Sequence, residues 1–104
     1  MGDVRDPAAL EALRARIDVV DARIVELLAE RAEVVARIAL LKPDAESVHA
    51  PERVEEVIQR VRGLAESHGV DPAIVEGTYR SLIEALTDLQ RRILASGRPG
   101  ARSP

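Results

Sequence analysis

The sequence predicts an all-α chain, and three features carry that prediction. Proline follows a helix-opening residue at Asp6-Pro7, Ala50-Pro51 and Asp71-Pro72. Proline at the first helical position gives up an N–H that has no helical partner there, and an aspartate before it can cap the new helix. Behind each of these pairs the apolar residues recur at alternating spacings of three and four, the period of a helix face. No segment shows the period-two alternation of a half-buried strand, and no long internal repeat is present.

The first helix is expected over about residues 7–41, up to Lys42-Pro43. Its seam runs Leu10, Leu13, Ile17, Val20, Ile24, Leu27, Arg31, Val34, Ile38 and Leu41, a coiled-coil-like pattern in which one member is an arginine. At ~1.5 Å per residue the helix spans roughly 50 Å, very long for so small a domain. Pro43 to His49 reads as a loop. The second helix opens at Ala50-Pro51, with Val54, Val57, Val61 and Leu64 as its stripe and Ser67-His68-Gly69 as its stop. His68 in the last turn reads as a helix-end cap or charge, not a catalytic base. The third helix carries Val75, Tyr79, Leu82, Leu86, Leu89 and Ile93 before Gly97. Residues 1–96 thus form one helical domain, and 97–104, rich in Gly, Pro, Arg and Ser, are expected to be a disordered tail. Two short helices cannot cover the first within one compact monomer, so an intertwined helical homodimer is expected.

Composition narrows the function. With 104 residues the chain has room for one domain, and a domain of this size closes a deep pocket most readily with a second copy of itself. There is no Cys, so disulfides, thiolate metal sites and a cysteine nucleophile are excluded, and a reducing compartment, the cytoplasm, is expected. Tyr79 is the only aromatic residue and the net charge is -3, which leaves neither stacking platform nor basic surface for nucleic acid. The first residues show no export signal, and no apolar run is long enough for a membrane span.

Motifs of nucleophilic, metal and nucleotide chemistry are missing, and the two histidines, His49 and His68, have no visible catalytic partner. What stands out is a set of cationic and amide side chains on or beside the apolar stripes. Arg31 occupies a seam position, where a guanidinium is costly unless it meets an anion. Lys42 follows eleven residues later, nearly three whole turns, which places the two on almost the same side about 16 Å apart. Arg14 lies about 25 Å from Arg31 along the helix and can share a small ligand with it only from a second, antiparallel subunit. Gln90 stands at the edge of the third stripe, and Arg53 beside Val54 on the second. Taken singly, these cations can be snorkelling side chains, with Arg31 paired to Glu26, Glu30 or Glu33. Taken together, they suit a small dianion, because arginine pairs with carboxylate in a strong, geometry-specific way. Arg5, Arg16, Arg23, Arg37, Arg60, Arg62, Arg91 and Arg92 read as solvated faces.

Leu13-Arg14-Ala15-Arg16-Ile17-Asp18, Leu27-Leu28-Ala29-Glu30-Arg31, Lys42, Glu52-Arg53 and Gln90, in this order and spacing, resemble the all-helical chorismate mutase family over roughly residues 8–95. The resemblance implies three-helix chains that intertwine as dimers with two equivalent sites, acting on chorismate or close relatives without cofactor or metal. It implies that Arg31 and Arg14 of the partner subunit bind the two carboxylates of the substrate. Lys42 and Gln90 would donate to its ether oxygen, and Arg53 would help close the site. A pericyclic rearrangement explains the missing bases, since it needs a compact conformer and donors aimed at the developing negative charge, not a proton transfer.

Three positions depart from the family pattern near the ring substituent. Ala50 stands where mutases commonly have Asp, Val54 where they commonly have Glu, and Leu86 where some have Ser. Ala50-Pro51-Glu52-Arg53-Val54 with Val75-Glu76-Gly77 resembles the isochorismate pyruvate-lyase branch, while mutases of 4-amino-4-deoxychorismate also diverge at these contacts. The expectation is therefore a mutase of chorismate or its amino analogue. The alternatives are a lyase giving salicylate and pyruvate, and a non-catalytic helical dimer in which Arg31 sets register.

Overall fold

The computed structural model describes residues 6–44, 46–48 and 50–96. The expected tail at 97–104, its Gly97 stop and His49 lie outside the described residues. Three α-helices follow one another, α1 (Pro7–Ala39), α2 (Pro51–Ser67) and α3 (Pro72–Ser96), with a short 3-10 turn at Glu46–Val48 between the first two. No strand occurs among the described residues, so the all-α class holds. No helix among them is long and apolar enough to cross a membrane. The chain divides into two compact units, residues 1–33 and 34–104, with the boundary inside α1.

In the first unit, the Asp6 carboxylate accepts from the Ala8 amide at 2.9 Å and the Asp6 carbonyl from the Leu10 amide at 3.1 Å. The cap and the proline at the first helical position act together here. From Pro7 to Glu30 every residue but Ala9 is exposed. The seam is therefore bare in the single chain: Leu13 is 54% exposed, Ile17 57% and Leu27 63%.

The second unit holds what is buried. Ala39, Val48, Val57, Ile58, Val61 and Ala65 form its core. α1 ends two residues before the predicted limit, because the Leu41 amide turns to the Ile38 carbonyl (3.0 Å) and Lys42 to Ala39 (3.1 Å), tighter i→i+3 bonds that close the helix ahead of Pro43. Asp44 then organises the 3-10 turn, its carboxylate accepting from the Ser47 amide at 3.0 Å and its carbonyl from the Ser47 hydroxyl at 2.9 Å. This turn rests on α3, and α2 packs along α3.

The face that α2 buries differs from the predicted stripe. Val57 and Val61 are inside as expected, but Ile58 and Ala65 join them, and Leu64 is 51% exposed. Spacings of three and four admit two overlapping faces, and the one used here is centred between Val57 and Ile58, roughly 75° from Leu64. Val54 is half-buried, as are Val75, Tyr79, Leu82, Leu86, Leu89 and Ile93 along α3.

The α2–α3 connection is a helix stop followed at once by a new start. The Val70 amide donates to the Ala65 carbonyl at 2.9 Å and the Gly69 amide to Glu66 at 3.2 Å, with Gly69 at φ +72°. This is the Schellman arrangement, in which glycine takes the left-handed conformation without a side-chain penalty. His68 caps the same end, its Nδ1 lying 2.9 Å from the Leu64 carbonyl, as the sequence suggested. Asp71 opens α3 as Asp6 opens α1, its carboxylate accepting from the Ala73 amide at 2.9 Å.

Candidate active site

Four of the five predicted site residues fall on the three helices, and Lys42 lies just beyond the first. In the first unit, Arg14 is exposed on α1, while Arg31 is half-buried and engaged by its surroundings. In the second unit, Lys42 follows the end of α1, half-buried and likewise engaged. Arg53 is exposed in the first turns of α2, where its Nη1 meets Glu56 at 3.2 Å. With both side chains well over half exposed, that ion pair is weak and readily exchanged for a ligand. Gln90 is half-buried on α3, and its amide has no hydrogen-bond partner among the described residues.

Within the second unit, α2 and α3 enclose a groove of about 330 Å³ lined by Val54, Arg80, Ile83, Glu84, Thr87 and Arg91. Gln90 follows Thr87 by three residues and Ile83 by seven, so the three share one face of α3. Val54, which departs from the family pattern, forms the α2 wall of this groove. Ile83, Thr87 and Glu84 did not stand out in the sequence, because a threonine among leucines on a helix carries no signal until its neighbours across the groove are known.

An ion network fixes the groove's two walls. Arg80 donates from Nη1 and Nη2 to the Glu55 carboxylate (3.0 and 3.1 Å) and from Nε to Glu76 (2.8 Å), and Arg62 of α2 meets Glu76 at 2.7 Å. The Arg80 hydrogen bonds hold the Glu55 and Glu76 carboxyls below their ordinary range, with Arg62 adding to the effect on Glu76. The same partners raise Arg80 further above its ordinary value. Arg62, read from sequence as a solvated face, is instead a half-buried bridge between helices. Glu76 and Arg80 lie four apart, the spacing of a pair on one helix face. Glu55 lies 25 residues from Arg80, a partner supplied by the packing of α2 on α3.

A long capped helix followed by a short helical hairpin with a polar-lined groove defines an all-helical chain. The family model for chorismate mutase type II matches residues 13–91, and the chain belongs to that family, which is named for an isomerase activity. It is 32% identical over 89 residues to the 4-amino-4-deoxychorismate mutase of Streptomyces pristinaespiralis, an alignment covering 85% of this chain and 69% of the relative. To the chorismate mutase of Methanocaldococcus jannaschii it is 33% identical over 86 residues, 82% of this chain and 87% of the relative. To the isochorismate pyruvate lyase of Pseudomonas aeruginosa it is 32% identical over 78 residues, 75% and 77% of the two chains.

Proposed function

We propose that two copies of this chain form a homodimer that rearranges chorismate or 4-amino-4-deoxychorismate to prephenate or its amino analogue, in sites shared between the subunits. The observation that carries this reading is the half-buried Gln90 amide, without a hydrogen-bond partner among the described residues. It stands one turn from the groove residue Thr87. A half-exposed amide that no protein group engages is available to donate to a ligand that takes the place of water there.

In the reaction the ether C–O bond to the enolpyruvyl group breaks as a C–C bond forms, with no proton transferred. Lys42 and Gln90 donate to the ether oxygen as negative charge gathers there. Arg31 and Arg14 of the partner subunit hold the carboxylates, compressing the substrate into the reactive conformer. Arg53 closes the site from α2. The bare seam of α1 supports the homodimer, since a second copy offers the same long stripe to cover it. The absence of cysteine from the sequence fits a cytoplasmic enzyme.

The lyase reading has one observation in its favour: Ala50 and Val54 supply no carboxylate toward the ring substituent, and a lyase is among the relatives. Incubation of the purified chain with chorismate, 4-amino-4-deoxychorismate and isochorismate in separate tubes decides the matter. Prephenate or its amino analogue is expected. Salicylate and pyruvate from isochorismate alone make the chain a lyase, and silence in all three leaves a non-catalytic helical dimer. In the active enzyme, Arg31→Ala is expected to abolish turnover, whereas a residue that only sets register would leave activity intact and the dimer more stable.

A further inference from the structure

The groove between α2 and α3 is lined by two arginines and one glutamate. Both of its arginines are already answered: Arg80 by Glu55 and Glu76, and Arg91 by Asp88 at 3.2 Å. Glu84 forms no ion pair among the described residues. With Arg62 as the second partner of Glu76, Glu84 is the one charged lining residue that no ion pair among the described residues answers. A substrate carboxylate is repelled here, and a cation is drawn in.

Thr87 supplies the second element. Threonine within a helix commonly turns its hydroxyl back to the carbonyl four residues earlier, and Thr78 on the same helix does so, donating to Ile74 at 2.8 Å. The half-buried Thr87 hydroxyl makes no hydrogen bond among the described residues, and it lines the groove opposite the apolar Val54. The α3 wall thus offers a hydroxyl and a carboxylate where the α2 wall offers hydrocarbon. Thr87 precedes Gln90 by one turn, about 4.5 Å along the axis, a spacing suited to neighbouring substituents on one six-membered ring.

We propose that this groove receives the ring substituent of the substrate and that Thr87 and Glu84 make it selective for an amino group over a hydroxyl. The inference rests on the mutase reading given above. An allylic amine is protonated near neutral pH. It presents three donors and a positive charge to a hydroxyl and a carboxylate that both accept, whereas a hydroxyl substituent gains nothing from the charge.

The test compares kcat/KM for 4-amino-4-deoxychorismate and for chorismate in the wild-type chain and in Glu84→Gln, Thr87→Val and Thr87→Ser. The wild type is expected to favour the amino substrate. Glu84→Gln should lower that preference roughly fivefold, an effect moderated by the exposure of the glutamate. Thr87→Val should lower kcat/KM for the amino substrate roughly fivefold through KM, and Thr87→Ser, which keeps the hydroxyl, should restore most of it. A wild-type preference for chorismate, or a preference that neither Glu84→Gln nor Thr87→Val moves, overturns the inference and leaves the mutase reading standing. Turnover of neither substrate removes the mutase reading and this inference with it.

Discussion

Ile58→Ala tests the packing on which the groove depends. Ile58 on α2 is fully buried, at 0% exposure, in the core of the second unit. Truncation removes three carbons, at ~0.8 kcal/mol each for lost burial. The cavity left behind adds to this, because a helical hairpin pinned by the Arg80 network collapses only partly, and the whole cost is about 3.5 kcal/mol. For a small domain with a urea m value of about 1.5 kcal/mol/M, the unfolding midpoint should fall by about 2 M. The measurement is a urea titration followed by far-UV circular dichroism at one fixed protein concentration, which holds constant any contribution from the proposed dimer. Ile74→Ala is the control: its side chain is 63% exposed, and its cost should stay below about 0.5 kcal/mol. Val54 lies one turn before Ile58 on α2, so a softened contact at Ile58 should also raise KM. Equal midpoints for the two variants would refute the assignment of Ile58 to the core.

Three further outcomes follow from particular residues. Gln90→Glu should confine activity to acidic pH, where the carboxyl is protonated and still donates to the ether oxygen; at neutral pH a loss of about 100-fold is expected, and an unchanged pH–rate profile would remove Gln90 from the site. Gly69→Ala meets no neighbour within 4 Å but inherits φ +72°, so only backbone strain acts, about 1 kcal/mol, or roughly 5 °C in Tm by thermal circular dichroism. The Glu55 and Glu76 carboxyls are held below their ordinary values, so their contribution to stability is present above about pH 4.3 and is lost as pH falls through their folded values. Tm should therefore drop more between pH 4.5 and 2 in the wild type than in Glu76→Gln, and parallel curves would count against the network.

The helix starts were legible because Asp6-Pro7 and Asp71-Pro72 write their caps into two adjacent residues. The stop at Gly69 was legible for the same reason. The face of α2 was not: three-and-four spacing leaves the choice between Leu64 and Ile58 to the surface that α3 presents, a tertiary matter. Arg14, Arg31, Lys42, Arg53 and Gln90 were visible because polar side chains beside an apolar stripe stand out against their background. Thr87 and Glu84 did not stand out, since their significance comes from what lies across the groove. The ion partner of Arg80 on α2 was hidden by its distance along the chain.

The brevity of the link between α2 and α3 shapes how the chain reaches its folded state. A hairpin of two helices joined by four residues, 68–71, makes its contacts between segments near in sequence, and such topologies close in microseconds to milliseconds. The seam of α1 has no such local reward, and on the two-chain reading it is covered only when another molecule arrives. Refolding should then show a fast phase indifferent to dilution and a slow phase whose rate rises with protein concentration. On that reading, the interval between the two in a cell is set by how many copies are being made, and the abundance of the chain would govern how quickly each new copy becomes competent.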